Sequence, residues 1–305
     1  MSGLWIVYSA LIVTILMWSH AFVAIKFCLR SVTPWELVIL RHVPPALVFG
    51  VYWLVSKNKR ILWQMVRSDG WRLFFVGMIA ISGYHFALNT GATRITAGTT
   101  SLIVGSAPVF TFLVAALLIG ERPTWLKAGG IVLAFAGLYV CIRYGSSRAV
   151  EVSYMIGALV AMFAPFFSSL YTTLSRPLSQ KHGPINTTAL TLILGTAPLL
   201  ATVRPELISK LPSLSAGFWA ADLFLGLCNT ALAYVFWMFA LGRLEATRVA
   251  TFLYFIPVLG ILWGRLYLGE PITGWLVLGG AMIIAGVGLT NRQPAKAPLV
   301  SAEPA

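Results

Sequence analysis

Long apolar segments, separated by short polar breaks, run through most of the 305-residue chain. A bilayer core about 30 Å thick needs roughly 20 apolar residues per helix. Cutting the sequence at charged residues, prolines and glycine-rich breaks gives ten segments of about that length. They lie near residues 4–29, 35–55, 72–93, 97–120, 125–144, 153–176, 186–203, 220–241, 247–269 and 273–290. The pattern therefore predicts an all-α integral membrane protein with ten transmembrane helices.

One apolar segment has a copy later in the chain. Residues 97–124 align with residues 246–273 at a constant offset of 149 positions, the distance from Pro108 to Pro257. Both copies carry a proline near the centre and a Gly-Glu pair at the end, and the register continues without a gap. Such self-similarity indicates an internal duplication.

An odd number of helices in each half has a geometric consequence. Five helices place the second half upside down in the membrane relative to the first, the inverted arrangement of many secondary transporters. The predicted units are a first five-helix repeat at residues 1–148 and a second, inverted repeat at 149–290. Residues 291–305 form a Pro- and Ala-rich tail, for which the composition predicts disorder.

Lysine and arginine counts in the predicted loops indicate the orientation. With the N-terminus inside, the cytoplasmic loops hold 13 of these residues and the outer loops hold 7, with Arg41 counted among the outer ones. Lys26 and Arg265 fall within predicted helices. The positive-inside rule then predicts that both termini and the tail are cytoplasmic.

Composition agrees with a membrane protein and argues against other classes. The chain is 58% hydrophobic and 10% charged, whereas soluble domains average about 45–50% and about 25%. The net charge of +13 is scattered between apolar runs rather than clustered on one face, so nucleic-acid binding is not expected. Each of the three cysteines lies alone, which predicts neither a disulfide framework nor a Cys-x-x-Cys metal site.

Several segments resemble the drug/metabolite transporter superfamily, and specifically its EamA-like, ten-helix branch. The segments that carry the resemblance are WSHAFVAIK (18–26), ELVILR (36–41), APVFTFLVAALLIGER (107–122), AGGIVLAFAGLYV (128–140), IPVLGILWGRLYLGEPIT (256–273) and GGAMIIAGVG (279–288). The resemblance covers nearly the whole chain and implies an exporter of small solutes in a bacterial inner membrane. Members of this superfamily carry amino acids, other metabolites, nucleotide-linked molecules or toxic compounds, so the substrate stays open.

Polar residues near the helix midpoints predict where a substrate cavity lies. Ser82, His85 and Asn89 are spaced at i, i+3 and i+7, so they share one helical face, and polar groups at membrane depth are costly unless they face the bundle interior or water. The residues predicted to bind substrate are Trp18, Ser19, His20, Ser82, His85, Asn89, Ser168, Asn229, Tyr234 and Trp237. Hydrogen bonding between helices is the alternative role for the histidines, and ordinary packing is the alternative for the tryptophans.

Two prolines predict bends in the repeated helices. Pro108 and Pro257 each remove a backbone donor and so interrupt the helical hydrogen bonding at mid-membrane. The interpretation open to test is a hinge that lets these helices move as gates; a static packing kink is the alternative. Glu121 and Glu270, which follow the two helices, are expected to cap loops or form ion pairs.

Missing signals narrow the function further. No Asp or Glu lies in the middle of a predicted helix, so proton coupling would fall to His20 or His85, and uniport or exchange is equally open. Catalytic motifs such as HExxH, GxSxG and glycine-rich phosphate loops are missing from the sequence, and neither an enzyme activity, a cofactor nor a metal is predicted.

The sequence therefore predicts a secondary transporter that exports small metabolites, amino acids foremost, by alternating access. Its expected partners are a small-molecule substrate and the lipid bilayer, and a monomer is plausible. Two alternatives stay open: efflux of drugs or toxic cations, and a membrane scaffold or sensor that transports nothing.

Overall fold

Helices make up almost all of the chain that the computed structural model describes. The described residues are 4–55, 59–119, 124–146, 151–241, 243, 249 and 251–291, and no strand occurs within them. The α-helices are α1 (Leu4–Cys28), α2 (Pro34–Val55), α3 (Lys59–Met78), α4 (His85–Ala92), α5 (Ala97–Gly105), α6 (Ala107–Ile119), α7 (Trp125–Tyr144), α8 (Val152–His182), α9 (Pro184–Leu200), α10 (Pro205–Lys210), α11 (Ala216–Leu223), α12 (Ala233–Leu241), α13 (Phe255–Leu268) and α14 (Gly274–Asn291). The tail is expected to be disordered, and its residues after Asn291 lie outside the described ranges.

Seven helices of the described ranges are long and apolar enough to cross a membrane. An eighth is added if Ile185–Leu200 and Pro205–Ser213, which meet at 98°, form one bent span. The apolar helices at the C-terminal end, α13 and α14, are shorter. Every one of the ten predicted segments overlaps at least one described helix, and the chain is a multi-pass membrane protein.

The third predicted segment begins earlier than expected. The sequence places its start near residue 72, whereas α3 begins at Lys59. Residues 59–68 are too polar to register as a membrane segment, and the backbone leaves the helical region at Asp69 (φ −132°, ψ 15°). The Asp69 carboxylate accepts a hydrogen bond from Lys181 Nζ at 2.7 Å and pairs with His182 Nε2 at 2.8 Å, which ties this bend to the end of α8.

Wide helical turns of the π type interrupt two of the long helices. The first π segment, Ile79–Tyr84, joins α3 to α4, and the second, Phe224–Leu232, joins α11 to α12. The sequence offset of 149 residues carries the first segment onto 228–233, where it overlaps the second. Turns of this type are rare in proteins overall, and many of those that occur lie at functional sites.

Both repeated prolines lie where a helix restarts. Pro108 is the second residue of α6, which follows a break at Ser106, and Pro257 is the third residue of α13, which follows the 3-10 turn Thr251–Tyr254. Proline fits the first turn of a helix because the backbone donor that it lacks would have no helical acceptor there. The predicted interruptions thus lie at Ser106 and at Thr251–Tyr254, and the first of them falls within one candidate membrane span, Ala97–Val114.

Glycines bring α7 and α14 into close contact. A Cβ atom added to Gly137 would lie 2.6 Å from the carbonyl oxygen of Gly279, and one added to Gly130 would lie 2.7 Å from that of Gly286. Residue numbers rise along one helix as they fall along the other, so the two helices are antiparallel. Small residues allow such backbone approach between membrane helices.

Candidate substrate cavity

A cavity of about 1030 Å³ lies between helices of both halves of the chain. Ligand pockets for small molecules have volumes of about 300–1,000 Å³, so this one has room for a metabolite. Side chains on its wall include Trp18, Arg41, His42, Tyr84, His85, Pro108, Ser168, Asn229 and Tyr234. Aromatic rings and a few polar groups thus share the wall.

The cavity extends to one end of the helix bundle. Its wall includes Lys127 in the first turn of α7, Arg176 near the end of α8 and Thr290 at the end of α14. These helix ends belong to the same face of the bundle, because α7 begins where α8 and α14 end. A solute can therefore reach the cavity from that face.

Polar contacts hold the helices together at the opposite end. The Glu270 carboxylate accepts hydrogen bonds from the backbone N–H groups of Ala97 at 2.8 Å and Gly98 at 3.2 Å, which start α5. A carboxylate at a helix N-terminus satisfies unpaired donors and interacts favourably with the helix dipole. Lys26 Nζ lies 3.9 Å from Glu270 and donates to the carbonyl of Ala92 at 3.3 Å, so Lys26 points into this cluster rather than towards lipid headgroups.

Glu270 therefore has the capping role predicted for it, and Glu121 lies outside the described residues.

Arg41 is a buried charged group on the cavity wall. It lies in α2 and is only 1% exposed. Its Nη2 donates to Asn229 Oδ1 at 3.2 Å and, at 3.4 Å, to the carbonyl of Leu225 and the hydroxyl of Thr230. Nε and Nη1 have no hydrogen-bond partner in the described part of the chain. A buried guanidinium with two unused donor nitrogens is suited to bind an anion.

The second π segment supplies all three acceptors of Arg41. Leu225, Asn229 and Thr230 belong to it, and the Thr230 hydroxyl itself donates to the Leu225 carbonyl at 2.9 Å. Two of these acceptors are side-chain oxygens and one is a backbone carbonyl. The π segment therefore places three oxygen acceptors around one guanidinium nitrogen.

Two histidines lie beside Arg41. The rings of His42 and His85 are 4.4 Å apart between centroids, and the Tyr84 ring is 4.6 Å from His85. His42 Nδ1 lies 2.7 Å from the Val38 carbonyl, which assigns its proton to that nitrogen. Among the described residues, the buried Nδ1 of His85 has no hydrogen-bond partner.

Aromatic rings form the other wall. Trp18 packs against Tyr234 with 5.8 Å between ring centroids and against Trp237 with 5.1 Å. Its Nε1 donates to the Asn229 carbonyl at 3.1 Å, while the Asn229 side chain donates to the carbonyl of Met17 at 3.1 Å. These bonds fix α1 against the second π segment and orient the Trp18 ring at the cavity wall.

The sequence model of the EamA-like transporter family matches the chain twice, at residues 5–143 and 155–292. The chain belongs to the EamA-like transporter family. The resemblance found in its sequence is thereby confirmed, and its relatives are transporters of the drug/metabolite transporter superfamily.

Two relatives match this EamA-like transporter over most of their length. An uncharacterized transporter of Archaeoglobus fulgidus is 32% identical over 95% of this chain and 99% of its own. A probable terminal-alkyne amino-acid exporter of Streptantibioticus cattleyicolor is 29% identical over 93% of both chains. A solved crystal structure, 21% identical, superposes with a TM-score of 0.63 over 93% of this chain and 96% of its own. At that identity the likeness concerns the fold alone.

The structure brings half of the predicted binding residues of this EamA-like transporter together. Those on the cavity wall are Trp18, His85, Ser168, Asn229 and Tyr234, joined by the predicted hinge residue Pro108. Those absent from the wall are Ser19, His20, Ser82, Asn89 and Trp237, together with Pro257.

Two of the absent residues bond to backbone or to another helix instead. Ser19 is fully buried and its hydroxyl accepts from Trp263 Nε1 at 3.0 Å. The Asn89 amide donates to the carbonyl of Pro34 at 3.1 Å. Both bonds join different helices, which is the role that the sequence left open only for the histidines.

His20 faces a different, smaller cavity of about 510 Å³. Its ring packs edge-on against Phe224, Trp263 and Tyr267, with centroids 5.0–5.6 Å apart. The rotation of α1 turns the His20 side chain away from the central cavity. Trp237 lies behind Trp18.

The predicted polar face of Ser82, His85 and Asn89 is split by the first π segment. Ser82 lies within that segment and its hydroxyl is 3.8 Å from Met78 Sδ, whereas His85 starts α4. Spacing by 3.6 residues does not hold across a turn whose hydrogen bonds span five residues. Ser82 is therefore out of register with His85, whereas Asn89 lies four residues after His85 in the same helix, near its face, and bonds to the backbone of α2 instead.

Sequence reasoning misses Arg41 and His42. The loop count places Arg41 outside, although it falls inside the predicted segment 35–55. An ionisable residue within a membrane helix is by default a candidate for function, and both residues carry that signal. Moving Arg41 into the helix lowers the outer count of Lys and Arg from 7 to 6, which strengthens the predicted bias.

Proposed function

We propose that this transporter exports amino acids, or related small solutes that carry a carboxylate, through the central cavity by alternating access. The observation that carries the proposal is Arg41, whose Nε and Nη1 lack partners in the described ranges and whose side chain lines the cavity. Guanidinium and carboxylate form paired, charge-assisted hydrogen bonds. Trp18 and Tyr234 offer an apolar surface for the rest of the solute.

The relatives support the same assignment. One of them is named a probable terminal-alkyne amino-acid exporter, and a terminal-alkyne amino acid combines a carboxylate with a small apolar group. Efflux of cationic drugs is less well supported, because a buried guanidinium on the wall repels a cation strongly in a medium of low dielectric constant.

Ten helices in two inverted halves are part of this proposal. The antiparallel pair α7 and α14 supports it, because Gly130 and Gly279 are equivalent under the offset, as are Gly137 and Gly286. Gly130 contacts Gly286, the equivalent of Gly137, and Gly137 contacts Gly279, the equivalent of Gly130. A two-fold axis parallel to the membrane requires such reciprocal contacts. The two matches of the family model agree with two such units.

Both termini are proposed to be cytoplasmic, in a bacterial inner membrane. The cavity then extends to the cytoplasmic face, where an exporter takes up its solute. In a variant without native cysteines, a cysteine replacing Lys181 should react with an impermeant maleimide from the cytoplasm only, and one replacing Lys210 from the outside only. The reverse labelling would contradict the orientation.

Counterflow in reconstituted vesicles tests the substrate class. L-leucine and L-propargylglycine, a terminal-alkyne amino acid, should exchange with labelled L-leucine, whereas L-leucinamide, which lacks the carboxylate, should not. A panel of nucleosides and cationic dyes belongs in the same assay, and exchange of these without any amino acid would overturn the proposal.

A pair of arginine variants tests the residue. Arg41→Gln should reduce leucine counterflow to background, while Arg204→Gln, which removes an exposed arginine at the start of α10, should leave it unchanged. Arg41→Lys keeps the charge and should retain part of the activity if Arg41→Gln fails to fold. Normal counterflow in well-folded Arg41→Gln would contradict the role of Arg41.

A further inference from the structure

A buried carboxylate without hydrogen-bond partners lies near Arg41. Asp222 in α11 is 0% exposed, and both of its carboxylate oxygens lack a partner in the part of the chain that the structure describes. An ionised carboxylate in such surroundings costs several kcal/mol. In this conformation, in which the carboxyl group is not paired with Arg41, the arrangement therefore suits the neutral carboxylic acid. Asp222 falls at the start of a predicted helix, where a carboxylate does not by itself indicate a function.

The surroundings of Asp222 contain few titratable groups. Helix α11 packs on α1, α2 and the second π segment. From these elements, Cys28 and Arg41 interact electrostatically with Asp222, and the π segment adds no acidic or basic residue. Among the described residues, no acidic group lies within 4.0 Å of the Arg41 guanidinium. Arg41 and Asp222 are thus neighbours that are not paired in this conformation.

The position of Asp222 relates it to the closed end of the cavity. It is the seventh residue of α11, and Cys28 is the last residue of α1. Both therefore lie towards the membrane face where α1 ends, opposite to the face that the cavity reaches. Asp222 does not line the central cavity, so a proton that it exchanges has its shortest route to the opposite side.

We propose that Asp222 is a proton-binding site that shares Arg41 with the substrate carboxylate. One guanidinium neutralises one carboxylate. When a substrate carboxylate engages Arg41, Asp222 takes a proton from water onto a carboxylate oxygen; when the substrate leaves, Asp222 returns that proton and its anion faces Arg41. If the Asp222 and substrate carboxylates were both ionised next to a single guanidinium, one buried negative charge would have no partner. The shared use of Arg41 rests on the proposed function.

Infrared spectroscopy of the purified protein tests the proton site without any substrate. A protonated carboxylic acid gives a C=O band that disappears on ionisation. Wild type should show such a band with an amplitude that depends on pH between about 4 and about 10, the range that ordinary and buried carboxylates span. Asp222→Asn should remove it, and Asp222→Glu should restore a titrating band at a shifted frequency.

Asp69→Asn is the matched control. Asp69 is also buried, but it pairs with Lys181, His182 and Arg72, so its removal should leave the titrating band intact. Arg41→Gln should move the pH midpoint of the band, because Asp222 loses its neighbouring cation. A band that is insensitive to pH, or one that persists in Asp222→Asn, overturns the proton site, as does an unchanged midpoint in Arg41→Gln.

Proton uptake on binding tests the coupling. Adding saturating L-leucine to unbuffered protein, near the midpoint of the Asp222 titration, should take up protons, up to about one per bound leucine, as linkage requires. Asp222→Asn should bind leucine with no uptake. Leucine binding without uptake in wild type overturns the coupling, whereas failure of all amino acids to bind contradicts the proposed function and leaves the infrared result to decide the proton site.

Discussion

In each half of the chain a helix packs on or near a π segment, but the residues at this contact are charged and polar in one half and apolar in the other. In one region α2 packs on the second π segment, and Arg41 bonds to Asn229 and Thr230. In the equivalent region α9 packs near the first π segment, and the offset of 149 residues carries Arg41 onto Leu190. It carries Asn229 and Thr230 back onto apolar Ala80 and Ile81. Apolar residues therefore stand in the equivalent region at the positions of both the arginine and its two side-chain acceptors.

A shared glycine makes both contacts possible. A Cβ atom added to Gly226 would lie 2.6 Å from the carbonyl oxygen of Arg41, and one added to Gly77 would overlap the carbonyl of Thr191. The two glycines are equivalent under the offset. The backbone framework is thus common to both halves, while the guanidinium site belongs to one.

The strongest effect should come from removing the acceptor of Arg41. Asn229→Leu should destabilise the protein by about 2–4 kcal/mol, because a buried guanidinium loses its side-chain acceptor, and should abolish leucine counterflow. Thermal unfolding in detergent and counterflow in vesicles measure the two effects. Ile81→Leu in the equivalent region is the control and should cost less than about 1.5 kcal/mol. Equal costs in the two regions would contradict the assignment of the charged site to one half.

The next effect concerns the equivalent positions His85 and Tyr234, which line the cavity from both halves. His85→Ala and Tyr234→Ala should each lower the initial rate of counterflow by about tenfold or more, the scale of one lost contact worth about 1.4 kcal/mol. The protein should still fold. His20→Ala, which changes a histidine outside the central cavity, serves as the control. Normal rates for both cavity variants would show that neither half binds substrate through these residues.

A weaker effect is expected where the two halves meet through glycine. Gly137→Ala should destabilise the protein by about 1–3 kcal/mol, because the added methyl group forces α7 away from α14. Gly129→Ala is the matched control on the same helix: its Cβ would meet nothing within 4 Å, and alanine is about 0.5–1 kcal/mol better than glycine in a helix. The two substitutions should shift the unfolding temperature in opposite directions. A shift of the same sign would mean that the helices do not depend on this contact.

The weakest effect concerns the two helix restarts. Pro108→Ala should slow turnover by a few-fold and leave the half-saturating concentration unchanged, because the break before α6 is expected to act as a hinge. Pro257→Ala tests the equivalent restart, where the proline is packed against Gly105. Initial counterflow rates over a range of leucine concentrations separate the two parameters. A changed half-saturation with unchanged turnover would argue for binding at Pro108 instead of hinge motion.

The family and most helix positions follow from local sequence properties. Apolar length predicts a membrane helix because the free energy of transfer adds up residue by residue. Pro108 and Pro257, which share one offset with their flanking residues, indicate the duplication directly from the sequence. Trp18, His85 and Asn229, chosen for their expected depth in the membrane, lie on the cavity wall, and their binding of substrate stays a prediction.

The directions of the side chains do not follow from the sequence. Ser19 and His20 lie next to residue 18 yet face other surroundings, because contacts with distant helices set the rotation of α1. The first π segment breaks the 3.6-residue pattern between Ser82 and Asn89, and no composition marks such a turn.

The order of residues alone indicates a multi-pass membrane protein of the EamA-like kind and predicts a duplication within it, since hydrophobicity and repeats are properties of the chain read in order. The tertiary fold is needed to show that Arg41 lies in the cavity wall and that Asp222 lies near it without hydrogen-bond partners. Their environment depends on residues almost two hundred positions apart. The cost of burying a charge is set by those neighbours, which the order of residues along the chain does not reveal.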